Sequence, residues 1–152
     1  MESIAQKTRS IYYDHKIVPL FLSAAILIDY SLTFFFAGSI SNIMSFENSF
    51  LLKYAIENNF VIPYLLGVMA FYYAASYIVL DLFKGQEVYP AGVGIIGLMA
   101  VQHIAGGMSW FVNNAIYSYS VISLSMITIV LAMILLGYTI IKNIVKSADP
   151  AV

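Results

Sequence analysis

Long apolar runs alternate with short polar breaks along this chain. Four runs have the length of a membrane span: residues 17–40, 61–83, 92–111 and 121–141. A hydrocarbon core of about 30 Å takes roughly 20 helical residues at 1.5 Å each, so each run predicts one spanning helix. Between the first two, Ile43, Phe46, Phe50, Leu51, Tyr54 and Ala55 recur at helical spacing. Ser45, Asn48, Ser49, Lys53 and Glu57 fall on the other side. That pattern predicts one short amphipathic helix over 43–58, lying in the interface and stopped by Asn58-Asn59. The expected fold is therefore all-α: an integral membrane bundle of four transmembrane helices with one interfacial amphipathic helix between spans one and two, all in a single domain over 1–152.

The polar breaks refine this picture. Residues 1–16 form an arm with Lys7, Arg9, Lys16 and the pair Tyr12-Tyr13, a mixture suited to the headgroup layer. Pro19 and Pro63 stand where a first-turn proline is tolerated. Residues 84–87 with Pro90 read as a turn, and residues 113–120 as a polar, uncharged loop. Lys142, Lys146 and Asp149-Pro150 close the last span.

An even number of spans places both ends on one side. Six basic residues then share that side (Lys7, Arg9, Lys16, Lys84, Lys142, Lys146), against Lys53 alone on the other. This is the positive-inside pattern, and both termini are expected in the cytoplasm. The basic flank and Ala37-Gly38-Ser39 give the first run some likeness to a cleaved leader. Its apolar stretch is too long and a central Asp is wrong for that, so a retained span is expected.

Composition narrows the function. The chain is 61% hydrophobic and 10% charged, whereas soluble domains carry about 25% charged residues. Chemistry is thus expected within the spans or at their interfaces. A net charge of −1 without a basic patch argues against nucleic acid as a partner. The absence of cysteine removes disulfides, thiolate metal sites, iron–sulfur clusters and thiol catalysis.

Two ionisable residues stand out against the apolar background. Asp29 sits in the middle of the first span, where an ionised carboxylate costs roughly 2.5–3.5 kcal/mol on insertion scales. It is expected to look inward, toward a partner. Spans one and three run in the same direction, and His103 lies as far beyond Pro90 as Asp29 lies beyond Lys16. Both are about 20 Å in, near the midplane, so a carboxylate and an imidazole at matching depth are natural partners. Read functionally, Asp29 and His103 form a proton relay or gate. Read structurally, they are a polar joint between helices, although such contacts average only ~0.6 kcal/mol.

Neighbouring positions follow the same logic. Thr33 shares a face with Asp29, while Gly106, Gly107 and Trp110 follow His103 on one stripe. The glycines suit close helix packing, which is preferred here over a cavity beneath the imidazole. Gln102 is turned about 100° from His103 and serves a different contact, with another helix or another subunit. Tyr73, Tyr77 and Asp81 share a face of span two, read as aromatic packing and interfacial anchoring. Glu47 and Asn48 lie at the outer end, as an entrance or as solvated surface. His15 lies at the membrane edge, which leaves His103 without a second imidazole for haem. No metal is expected, because the Asp29/His103 pair lacks a third ligand. The sequence names no cofactor, and no hydrolase or phosphate-binding motif is present.

Over residues 27–59 the chain resembles a family of small archaeal and bacterial polytopic membrane proteins of unknown function. The features are Asp-x-x-x-Thr in the first span, met by Asp29 and Thr33, then a glycine, met by Gly38, then a Glu-x-Asn-Pro turn. The turn departs here: Glu47 and Asn48 are adjacent and Ser49 stands near the proline position. The resemblance implies a multi-span helical fold and sets Asp29, Thr33, Glu47 and Asn48 together, without implying an activity.

Three function classes follow. The favoured one is a non-enzymatic accessory or assembly subunit of a membrane complex, with Asp29/His103 joining helices. The alternative is a homo-oligomeric proton-linked transporter or channel using the same pair as a relay. The third, an intramembrane lipid-acting enzyme, lacks a nucleophile and an oxyanion arrangement. Expected partners are membrane lipids and further membrane subunits or copies of the chain.

Overall fold

The computed structural model describes Tyr12 and residues 14–148, which form six helices in the order α1 (Val18–Ala37), α2 (Ile40–Phe46), α3 (Phe50–Glu57), α4 (Val61–Phe83), α5 (Tyr89–Val112) and α6 (Ala115–Ala148). Among the described residues there is no strand. Lys7, Arg9, Tyr13 and Asp149-Pro150 lie outside them. The helices α1, α4, α5 and α6 are long and apolar enough to cross a membrane.

Local chemistry sets the helix ends. The Asp14 carboxylate accepts from the backbone N–H groups of Lys16 (2.8 Å) and Ile17 (3.3 Å), turning the chain into α1. Pro19 sits in the first turn, where its missing N–H costs nothing. Gly38 ends α1 with φ +71, a left-handed conformation that glycine adopts freely. The Asn42 amide donates to the Ala37 carbonyl left unpaired by that ending (2.8 Å). Asn113 ends α5 in the same left-handed region.

Two expectations need correction. The single amphipathic helix over 43–58 is two helices, broken at Glu47, whose backbone is extended (φ −69, ψ 136). Ser49 caps the second, its hydroxyl accepting from Leu52 N, while Glu47 Oε1 accepts from Ser49 N at 2.9 Å. Glu47 and Ser49 each offer the backbone an alternative hydrogen bond, which outcompetes a continuous helix. The loop over 113–120 contracts to Asn113 and Asn114, and α6 starts at Ala115. Asn114 Oδ1 receives the N–H groups of Ile116 and Tyr117, and Ser118 and Ser120 donate back to carbonyls one turn earlier. Serines satisfied within a helix look like loop residues in a polarity profile. The remaining boundaries shift modestly: α1 ends at Ala37, α5 covers Tyr89–Val112, and α6 runs to Ala148.

The long helices alternate in direction. At one end the Tyr12 hydroxyl donates to the Pro90 carbonyl, His15 meets Asp81 (3.5 Å), and the Gln86 amide reaches Asn143. At the other end lie α2, α3 and the α5–α6 turn. The main core is built where α1, α4 and α5 meet, from Leu22, Ile26, Leu80, Phe83 and Ile96. Gly92 is required there, because a Cβ would lie 2.6 Å from the Phe83 ring. A smaller cluster of Ala37, Ile43 and Leu52 pins α2 and α3 across the other end. Helix α6 lies outside this core, docked chiefly on α5. Within the most apolar stretch of each helix, 33% of residues are buried in α1 and 6% in α6. An apolar groove of about 410 Å³ runs between α4 and α6 over α5.

Candidate functional site

A close backbone-to-backbone contact between α1 and α5 carries the two central ionisable residues. Gly107 of α5 lies so close to α1 that a Cβ there would stand 2.6 Å from the Asp29 carbonyl oxygen and 2.9 Å from its Cα. One turn earlier on α5, His103 Nδ1 faces Asp29 Oδ2 at 2.8 Å. With the carboxylate ionised, Nδ1 carries the proton and donates. The edge-on ring of Tyr72 from α4 closes the other side of the imidazole, 5.3 Å between centroids at 87°. The Asp29 and His103 side chains keep 20% and 24% of their surface exposed, so neither is sealed from a small ligand or a proton.

Asp29 Oδ1 lies over Gly106, where a Cβ would make an ordinary contact at 3.6 Å. Asp29 lines a half-open cavity of about 670 Å³ between α1, α2, α5 and α6 near the α2–α3 end. Asp29 and Thr33 line it from α1, and Glu47 and Asn48 from the end of α2. Gly106, Ser109, Trp110 and Asn113 line it from α5, and Ser118 and Tyr119 from α6. Among the described residues, no lysine or arginine lines it.

Of the residues singled out in the sequence, Asp29, Thr33, Gly106, Trp110, Glu47 and Asn48 share this one cavity. His103 stands behind Asp29, and Gly107 is buried in the helix contact. Asp29, Thr33, Glu47 and Asn48 thus line one cavity, although two come from α1 and two from the end of α2. Ser109 and Asn113 were missed, yet they follow Gly106 by three and seven positions, and helical spacing alone would have found them. Ser118 and Tyr119 were hidden by reading their segment as a loop.

The other polar residues serve packing. Gln102 is buried and donates to Thr128 Oγ1 and to the Leu124 carbonyl, tying α5 to α6. Tyr73 stacks on Tyr77, and His15 lies against Tyr77 while meeting Asp81. Tyr30 and Tyr64 share a hydroxyl–hydroxyl bond of 2.8 Å between α1 and α4. Among the described residues, no three His, Cys, Asp or Glu side chains cluster closely enough to hold a metal ion.

The fold and site together define an all-helical protein with four helices long and apolar enough to span a membrane and a half-enclosed cavity lined by Asp29, with His103 behind it. The chain matches no family model, and no significant match was found among curated proteins or solved structures.

Proposed function

We propose that this is an integral membrane protein with cytoplasmic termini that takes up a polar solute from the outer side and couples its binding to a proton. The observation that carries this reading is the placement of Asp29, which lines the cavity and whose Oδ2 also bonds His103 Nδ1. Solute and proton then compete for, or cooperate at, one carboxylate. Protonating Asp29 removes the charge a solute meets, and protonating His103 turns the contact into an ion pair. The titratable groups around Asp29 are His103 from α5, Tyr72 from α4, the neighbouring Tyr30 on α1 and, lining the same cavity, Glu47 from the end of α2. Intramembrane ionisable residues are expensive, and a residue kept only as a helix joint returns little stability for that cost.

Such a carrier is expected to work as a homo-oligomer, because four helices enclose little volume for a path through the membrane. The test is proton movement across proteoliposomes, followed with a pH-sensitive dye while polar cell extract is supplied on the outer side. The wild type is expected to dissipate an imposed gradient, and Asp29→Asn to fall to the level of protein-free vesicles. A rate left unchanged in Asp29→Asn would exclude the relay.

A second reading, an accessory subunit of a larger membrane complex, is favoured by a different observation. Helix α6 leaves most of its apolar surface uncovered, and the groove between α4 and α6 is apolar along its length. Native mass spectrometry after gentle extraction separates the two readings. Other polypeptides held in fixed ratio support the subunit, whereas a free monomer or homo-oligomer supports the carrier.

A further inference from the structure

We infer that the outer cavity receives an organic cation, an ammonium ion carrying apolar substituents. This inference rests on the cavity being the solute site proposed above and assigns its ligand class. Among the described residues, the two charged side chains in the lining, Asp29 and Glu47, are both acidic, and no basic side chain lines the space. Protonation of His103 offsets one of the two charges, so the space stays negative whichever state the imidazole adopts. An anion would meet repulsion from Glu47 at the end of α2 and from Asp29 on α1.

Shape and wall chemistry separate an organic cation from a bare metal ion. A metal ion needs several oxygen or nitrogen ligands converging at about 2.0–2.6 Å. Here the space is about 670 Å³, its two carboxylates come from different helices, and no cluster of three ligating side chains occurs among the described residues. The lining also includes the aromatic residues Phe46, Trp110 and Tyr119. Aromatic faces attract an ammonium within about 6 Å of the ring and pack against its carbon substituents, which a hydrated metal ion cannot use. A lining of carboxylates and aromatic residues thus selects positive charge and apolar bulk together.

The test uses a reporter already in place, because Trp110 is the only tryptophan in the chain and lines the cavity. Its emission is followed in lipid nanodiscs during titration with choline and tetraethylammonium. Controls are 3,3-dimethylbutan-1-ol, the uncharged isostere of choline, and acetate. The expected result is a saturable change with the cations and none with the controls. Asp29→Asn is expected to weaken the response about tenfold or more, and Glu47→Gln to weaken it without loss of the fold. Circular dichroism checks both variants; if Asp29→Asn does not fold, Glu47→Gln carries the test. An Asp29-dependent response to the alcohol or to acetate overturns the cation assignment and leaves the solute site standing. No response to any probe overturns both.

Discussion

Adjacent glycines on α5 do opposite work at the Asp29 contact. At position 107 a methyl group would have to displace backbone, since the Asp29 carbonyl oxygen would stand 2.6 Å away. Gly107→Ala is therefore expected to destabilise the protein by about 1–3 kcal/mol, the usual cost of overpacking, by forcing α1 and α5 apart. At position 106 the same methyl would meet Asp29 Oδ1 at 3.6 Å, an ordinary contact. Gly106→Ala is expected to leave stability unchanged or raise it by up to about 1 kcal/mol through helix propensity. Unfolding in detergent with increasing denaturant checks both; equal effects of the two substitutions would refute this division of roles. The sequence marked both glycines as one packing stripe. Only the approach of the α1 backbone, which no spacing rule encodes, distinguishes them.

At the scale of elements, α6 is the least secured of the long helices. Its polar attachments to α5 include the Gln102 amide, which donates to Thr128 Oγ1 and the Leu124 carbonyl, and the Tyr117 hydroxyl, which donates to the Ala105 carbonyl at 3.1 Å. Interhelical hydrogen bonds within membranes average ~0.6 kcal/mol and reach about 1.7 kcal/mol. Gln102→Leu is expected to loosen α6 by an amount in that range, seen as faster hydrogen exchange in α6 with α1, α4 and α5 unaffected. Protection lost evenly across all four would mean that α6 belongs to the same cooperative unit. Element type was legible wherever apolar runs were long, and the second run coincides with α4, Val61–Phe83. Boundaries failed where a polar side chain served its own backbone, as at Glu47-Asn48-Ser49 and at Asn114 to Ser120. Composition reads such residues as exposed, whereas their hydrogen bonds are local.

For the whole molecule, the governing proposal is orientation. Alternating helices put the α4–α5 turn at one end, with α2, α3 and the α5–α6 turn at the other. With Lys84 expected in the cytoplasm, the cavity is expected to open to the outside. The chain has no cysteine, so single introduced thiols report this directly. In intact cells a membrane-impermeant maleimide is expected to label Asn58→Cys and to spare Lys84→Cys until the membrane is opened. The reverse pattern would place the cavity on the cytoplasmic face and remove uptake from outside.

The sequence by itself determined the helical class, the four apolar stretches, the expected sidedness and the presence of a carboxylate and an imidazole at one depth. Each of these depends on local periodicity, on charge counts or on the fixed rise of a helix, quantities that can be read along a chain. Tertiary structure decided that Asp29 and His103 touch, that Gln102 faces α6, and that residues from α1, α2, α5 and α6 line one acidic cavity. Those outcomes depend on which helices neighbour one another and how closely they approach. Gly107 sets that approach on α5, and the sequence showed it only as a small residue.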